Sequence, residues 1–296
     1  MSLVHSLKFI ATHPLNRGGE FRSMIRFAKW QIGSRLVGGT IVHDWVSGAR
    51  FLVRTGETGL TGNIYTGLHE FADMGYLLHV LRENDHFIDI GANVGSYTIL
   101  ACAAVGAQVL AFEPAPEAYK RLVENVRLNG AETRATCLNL ALGRSEAVLR
   151  FTSGLDTTNH VAASGEDGAR MIDVRVSTLD TALTGGAPHV AKIDVEGYEL
   201  PALEGAQKTL RSKSLHSVIM ELNGSGGRYG YDEKLILQMM SDHGFGTYSY
   251  DPIGRTLRDL RGKNLASGNT LFIRDRALVA ERVATARKVR IFGKDF

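Results

Sequence analysis

Four carboxylates in this chain stand within or just past short apolar runs. Asp89 lies in the run 87–90, Glu113 closes 108–112, and Asp194 and Glu196 follow 189–193. Acids at the ends of buried strands sit where open α/β sheets bind their ligands. There a carboxylate can hold polar groups of a cofactor, orient an acceptor, or take its proton as a bond forms. Directly after the first run, Gly91-Ala92-Asn93-Val94-Gly95 turns the chain, and a helical pattern begins at Ser96. A strand, a tight loop and a helix start present backbone N–H groups to a ligand.

The loop discriminates between two cofactors. Glu113 falls roughly 20 residues past Gly91, where a nucleotide-binding βαβ unit places an acid on the ribose hydroxyls. A dinucleotide loop requires G-x-G-x-x-G so that the backbone can approach a pyrophosphate. Here Asn93 stands at the second glycine, and Asp89 adds negative charge at the strand end. That charge suits the ammonium and sulfonium of S-adenosylmethionine (SAM) and opposes the phosphates of NAD. The expected cofactor is SAM, with Asp89, Gly91, Asn93, Gly95 and Glu113 forming its site.

The segments Asp-Ile-Gly-Ala-Asn-Val-Gly at 89–95, Phe-Glu-Pro at 112–114 and Lys-Ile-Asp-Val-Glu-Gly-Tyr-Glu at 192–199 resemble the FkbM family of SAM-dependent methyltransferases. The similarity runs over about residues 60–275, and the third block is the most specific to the family. It implies a class I methyltransferase fold: a mostly parallel seven-stranded sheet with helices on both faces, plus an N-terminal extension of helices and a hairpin. It also implies transfer of a methyl group to an oxygen, on a sugar of a glycan or lipooligosaccharide or on a natural-product hydroxyl. Asp194 and Glu196 are then the expected catalytic carboxylates. His160, in the polar loop 155–161, is an alternative base because an unperturbed imidazole titrates near neutrality. Asp194 as a helix cap and Glu196 as an exposed turn residue are the structural alternatives. Two close carboxylates also suit Mg²⁺, and the spacing does not decide between a base and a metal ligand. Of the rival functions, an NAD-dependent oxidoreductase would share the strand, loop and ribose acid. A non-catalytic SAM-binding protein would share the whole pocket. The Asn/Asp-Pro-Pro-Tyr/Phe signature of base-modifying methyltransferases is absent from the chain.

The elements that must position these residues alternate strand and helix, as in a parallel sheet. Strands are expected at 87–90, 108–112, 135–142, 189–194 and 216–222, with 245–250 and 270–273 as the closing antiparallel pair. Asn139 and Ala141, near the end of the third strand, are candidate adenine contacts, although Asn139 also fits an ordinary turn. Residues 146–178 read as an insertion of two strands flanking 155–161. Upstream, 40–54 reads as a β-hairpin around Ser47-Gly48, and 61–70 as a loop entering a helix. Glu70 serves equally as a first-turn acid of that helix or as a cofactor contact under a lid, while His69 is expected to be structural. From Glu20 to Leu36 the residues Phe21, Met24, Ile25, Ala28, Ile32 and Leu36 share one helical face, with Arg22, Arg26 and Lys29 on another. The expectation is a helix packed through its apolar face, with its basic face solvated. Weak contact of that helix with an anionic membrane surface is the alternative. These readings divide the chain into an extension 1–84, a SAM-binding core 85–275, and a solvated basic tail 276–296.

Composition bounds the rest. A chain of 296 residues can bury a sizeable core, and 44% apolar with 22% charged residues is ordinary for a globular protein. A net charge of +3 is too small to imply nucleic-acid binding. Cys102 and Cys137 lie in apolar patterns without metal-ligand spacing, as buried thiols of a reducing compartment do. His5, Lys8 and His13 interrupt the N-terminal apolar residues, and no apolar run is long enough to span a bilayer. A cytoplasmic enzyme acting on a small molecule or glycan is expected.

Overall fold

A computed structural model describes residues 3–55, 60–155, 158–163, 165–166, 170–183 and 185–296. Asp156 and Thr157 of the predicted polar loop lie outside the described residues. The chain opens with helices α1 (Leu3–Thr12) and α2 (Glu20–Val37) and the hairpin β1 (Thr40–Asp44)/β2 (Arg50–Arg54). The hairpin pairs Asp44 with Arg50 across the expected turn. Next come α3 (Thr61–Thr66), where a loop was expected, and α4 (Phe71–Val80).

The central sheet is built from β3 (His86–Ile90), β4 (Gln108–Phe112), β5 (Ala135–Leu138), β9 (Val190–Ile193), β10 (Ser217–Glu221), β11 (Gly246–Asp251), β12 (Thr256–Asp259) and β13 (Asn269–Ile273). Its order is β12-β11-β13-β10-β9-β3-β4-β5. The five strands from β10 to β5 run parallel, and β13 enters antiparallel between β10 and β11. The fold class is as expected with one correction: the sheet has eight strands, not seven. The eighth, β12, folds back on β11 as a hairpin.

Alternation along the strands separates the two faces. Phe87, Val109, Val190 and Ile219 join one core with α4 and α11 (Arg276–Ala284). Ile88, Leu110, Ala191 and Val218 join the other, under α8 (Glu199–Glu204) and α10 (Lys234–Asp242). The helix after the glycine loop is one α-turn, α5 (Ser96–Ile99), that continues as π-helix over Leu100–Val105. α6 (Pro116–Leu128) starts on Pro116 as its sequence requires.

The expected third strand is broken. Residues 139–140 interrupt it, and β6 (Ala141–Leu142) leaves the main sheet to pair with β8 (Arg170–Ser177), itself paired with β7 (Ala147–Ser153). This small sheet is the insertion read from 146–178.

Two surface expectations are overturned. Helix α2 forms over the expected residues, but Phe21, Ile25, Ile32 and Leu36 are exposed, while Ser23 and Ser34 are its buried residues. Phe27 and Trp30, on the other side, pack onto Phe51, Ile64 and Tyr65. Bulky aromatic contacts outweigh the longer aliphatic stripe. The tail is likewise not solvated. After α11 it forms a short hairpin, β14 (Arg290–Ile291) with β15 (Lys294–Asp295), and Val289, Ile291 and Phe296 are buried. The Phe296 ring meets Phe71 edge-on at 5.2 Å, and Arg255 donates to the Ala286 carbonyl at 2.7 Å.

Phe296→Ala tests the docked tail. Truncating a buried phenylalanine costs about 3–5 kcal/mol, so the urea midpoint should fall clearly. An unchanged midpoint would mean that the tail is solvated after all.

Candidate active site

The site grows from the C-terminal end of β3. Asp89 is 1% exposed. Thr98 Oγ1 donates to its Oδ2 at 2.6 Å, whereas its Oδ1 is buried without a partner. Burial raises the Asp89 pKa, and Lys192 opposes that shift. Gly91 has φ +80°, and a Cβ there would come within 1.8 Å of the Asp194 carbonyl oxygen. Only glycine lets the two strand-end loops approach so closely. Asn93 takes the left-handed conformation with φ +51°, which asparagine tolerates better than most side chains.

Glu113, at the end of β4, clamps the loops together. Its Oε2 accepts from the Asn93 N–H at 2.8 Å and its Oε1 from the Ala115 N–H at 2.8 Å. Burial pushes its pKa up to about 7, with those two amides pulling the other way. Glu113 therefore shapes the loop as well as facing the cleft. Asn139 is exposed, and its Nδ2 donates to the carbonyls of Glu113 and Pro114 at 2.8 and 2.9 Å. This is the turn-residue alternative, and the neighbours Leu140 and Ala141 face the cleft instead.

Lys192 is the residue whose importance the sequence reading missed. It is 3% exposed and is the direct cross-strand neighbour of Asp89. Its Nζ lies 2.5 Å from Asp194 Oδ2 and 4.6 Å from the centre of the Tyr97 ring. Burial disfavours its charge, but Asp194, Glu70 and Asp89 outweigh burial and hold its pKa above the ordinary value. Around it, Tyr97 OH donates to Glu70 Oε2 at 2.9 Å. Asn269 Nδ2 donates to Glu70 Oε1 at 2.8 Å and to Asp73 Oδ2 at 3.1 Å. Glu70 thus ties α4 to β13 and also lines the cleft.

Asp194 and Glu196 come together as expected, and Glu221 at the end of β10 joins them. One carboxylate oxygen from each lies within 4.8 Å of the others. This spacing would let a hard divalent cation draw on all three. Glu196 sits at φ +54°, a strained position for a side-chain-bearing residue. Its carbonyl accepts from Arg228 Nη1 at 2.9 Å. Burial and then Asp194 raise the Glu196 pKa. In Glu221 the Oε2 is buried without a partner, and burial, Asp194 and Glu196 push its pKa up to about 9. The rule that singled out Asp89, Glu113 and Asp194, an acid at the end of a buried strand, applies equally to Glu221 and could have found it. Glu199, in the family-like block, is structural: its Oε1 accepts from the N–H groups of Val195 and Gly197 at 3.2 and 3.1 Å.

His160 is not brought to the cleft as a base. It is buried beside β7, with Nδ1 2.8 Å from the Thr158 carbonyl oxygen and Nε2 2.8 Å from Glu166 Oε1. Both nitrogens are taken up by these partners, and His160 does not line the cleft. Among the described residues the histidine lining the cleft is His69. Its Nδ1 is buried without a partner, and burial lowers its pKa.

These residues enclose a cleft of about 820 Å³. Its walls are Asp89, Glu113 and the glycine loop on the sheet side, and Phe9, Phe27 and Tyr65 of the N-terminal elements opposite. The orphaned Asp89 oxygen fits a cationic cofactor, and the glycine loop beside it borders a cleft large enough for a nucleoside. Asp89 and Glu70 would face its ammonium and sulfonium, Glu113 its ribose, and Leu140 and Ala141 its base.

Strand order, glycine loop and strand-end acids together define a class I methyltransferase. Residues 89–246, more than half of the chain, match the methyltransferase FkbM domain. The chain belongs to this family, and its cofactor is SAM. It is 28% identical over 169 residues to the hexuronic acid methyltransferase AglP of Haloferax volcanii, covering 56% of this chain and 65% of AglP. It is 29% identical over 172 residues to the methyltransferase sdnD of Sordaria araneosa, covering 47% of this chain and 66% of sdnD. The matches thus span just under two thirds of these relatives. The crystal structure of a methyltransferase FkbM from Methylobacillus flagellatus KT superposes with a TM-score of 0.45 and 17% identity, over 72% of this chain and 52% of that one.

Glu221 gives this site a pH signature. A carboxylate raised from 4.5 to about 9 on folding contributes stability below its unfolded pKa, and loses it as pH rises through the folded value. The ligand-free protein should therefore lose stability between pH 6 and 9, about 1.4 kcal/mol per unit at most from one group. Glu221→Gln, which mimics the protonated form, should flatten that slope in urea titrations. An unaltered slope would show that Glu221 is not the group responsible.

Proposed function

We propose that this protein is an O-methyltransferase that places a sugar-like hydroxyl against the carboxylates of Asp194, Glu196 and Glu221. The observation carrying this reading is the convergence of those three acids beside the glycine loop. When bound, SAM supplies a methyl group on a sulfonium, a good electrophile. What the protein adds is placement and proton handling. Asp194 is held by Lys192, which fixes its orientation and leaves its free oxygen to accept from the acceptor hydroxyl. Glu196, whose pKa burial and then Asp194 raise, is the candidate to take the proton, because a raised pKa makes a carboxylate a stronger base. Glu221, protonated at neutral pH, donates a hydrogen bond to a second acceptor oxygen.

Support for a sugar comes from the relative named for a hexuronic acid. Three acids in one wall disfavour an acceptor that is itself an anion, so a neutral hydroxyl fits this cleft better than a hexuronate carboxylate. The oxidoreductase alternative finds no support, since the matched family is one of methyltransferases.

Formation of S-adenosylhomocysteine, screened over neutral glycosides and uronates, tests the reading. Neutral glycosides should be methylated, and Asp194→Asn and Glu196→Gln should each lower turnover about 10²–10⁴-fold with much smaller effects on SAM affinity. Uronates as the sole acceptors, with the methyl found on the carboxylate as an ester, would replace hydroxyl transfer by carboxylate transfer. Full activity in both variants, lost in His69→Ala together with an inflection in the pH–rate profile, would move the base to His69.

A further inference from the structure

The exposed stripe of α2 has a consequence for where the protein works. At 3.6 residues per turn, Phe21, Ile25, Ala28, Ile32 and Leu36 line up on one side of the helix. All are exposed, with Phe21 at 79%, Ile32 at 61% and Leu36 at 81%. Isolated exposed apolar residues are normal, but a continuous row of large ones on a helix marks an interaction surface. Basic residues border the row. Arg22 and Lys29 run along one edge and Arg35 along the other, and all three are exposed. Glu20 is the helix's one acid, and its carboxylate already accepts from the Gly18 N–H. The opposite side of the same helix supplies Phe27 and Gln31 to the wall of the cleft.

We propose that α2 lies in the headgroup region of an anionic lipid bilayer. The apolar row enters the acyl boundary, and Arg22, Lys29 and Arg35 snorkel to lipid phosphates. An exposed apolar row edged by cations complements an anionic lipid surface. It does not suit a second copy of α2, because a symmetric pairing would set these cations against one another. The inference is independent of the acceptor reading. It places the cleft on the other side of the membrane-bound helix, within reach of a substrate presented at the bilayer surface.

The test is co-sedimentation of the purified protein with sucrose-loaded vesicles of phosphatidylcholine, with and without phosphatidylglycerol. Binding should require phosphatidylglycerol and weaken with salt. Replacing Arg22, Lys29 and Arg35 by Gln should weaken it roughly a hundredfold. Phe21→Asp combined with Leu36→Asp should abolish it, leaving the unfolding midpoint and calorimetric SAM affinity unchanged because both side chains are exposed and outside the cleft. Equal sedimentation with both lipid mixtures, or unaltered binding by the Asp variant, would overturn the proposal. So would light scattering that finds, without lipid, a dimer dissociated by the Asp variant, since the stripe would then be a self-association surface.

Discussion

Lys192 carries a positive charge into the interior of the sheet at the point where Asp89, Glu70 and Asp194 converge on it. Burying that many carboxylates without a counter-charge would cost several kcal/mol for each ion. The register makes the arrangement unavoidable. Lys192 sits directly beside Asp89 on the neighbouring strand, and both point to the face covered by α4. That helix brings Glu70 and Asp73 to the same place, and Asn269 of β13 fastens them with two hydrogen bonds. Asp89, Asp194 and the closing strand therefore share one electrostatic centre. Rearranging any one of them changes the charge felt by the other two.

The same network explains the division among the acids. Asp194 has Lys192 as its own cation, while Glu221 has an unpartnered oxygen and is pushed up by burial, Asp194 and Glu196. Glu221 is thereby made to hold its proton more tightly than a free carboxylate, the condition under which an acid donates a hydrogen bond. Glu113 follows a third pattern, because two backbone N–H groups serve its oxygens. The identity of each acid is common to all of them, and the surroundings set what each can do.

Much of this was legible in the sequence, since it depended on local rules. The glycine loop, the acids at the strand ends, the proline-started α6 and the hairpin at 40–54 each follow from a few adjacent residues. What was not legible depended on partners far apart in the chain. A lysine inside an otherwise apolar strand was a usable signal for a buried ion pair, whereas nothing beside Glu221 announced Asp194. His160 looked available because its acceptors, Thr158 and Glu166, gave no sign of closing around it. The break at Asn139 could not be read from apolarity, because β6 is as apolar as β5 and differs only in the sheet it joins. For α2 the pattern was right and its orientation inverted. Periodicity identifies a stripe, but which side packs is decided by the shape of Phe27 and Trp30 against Phe51 and Tyr65.

The matched family segment begins at residue 89, so it holds the glycine loop, Glu113 and the Asp194/Glu196 block. The opposite wall of the cleft comes from Phe9, Phe27, Gln31, Tyr65, His69 and Glu70, all of which precede it. The cleft thus has two halves, the glycine-loop side and the N-terminal side. Val94 joins them physically, since this residue of the glycine loop packs in the same apolar cluster as Ile10, Phe51 and Ile64. Val94 is thus the point of direct packing between the two walls, so a substitution that disturbs the cluster of Ile10, Phe51 and Ile64 also reaches the glycine loop.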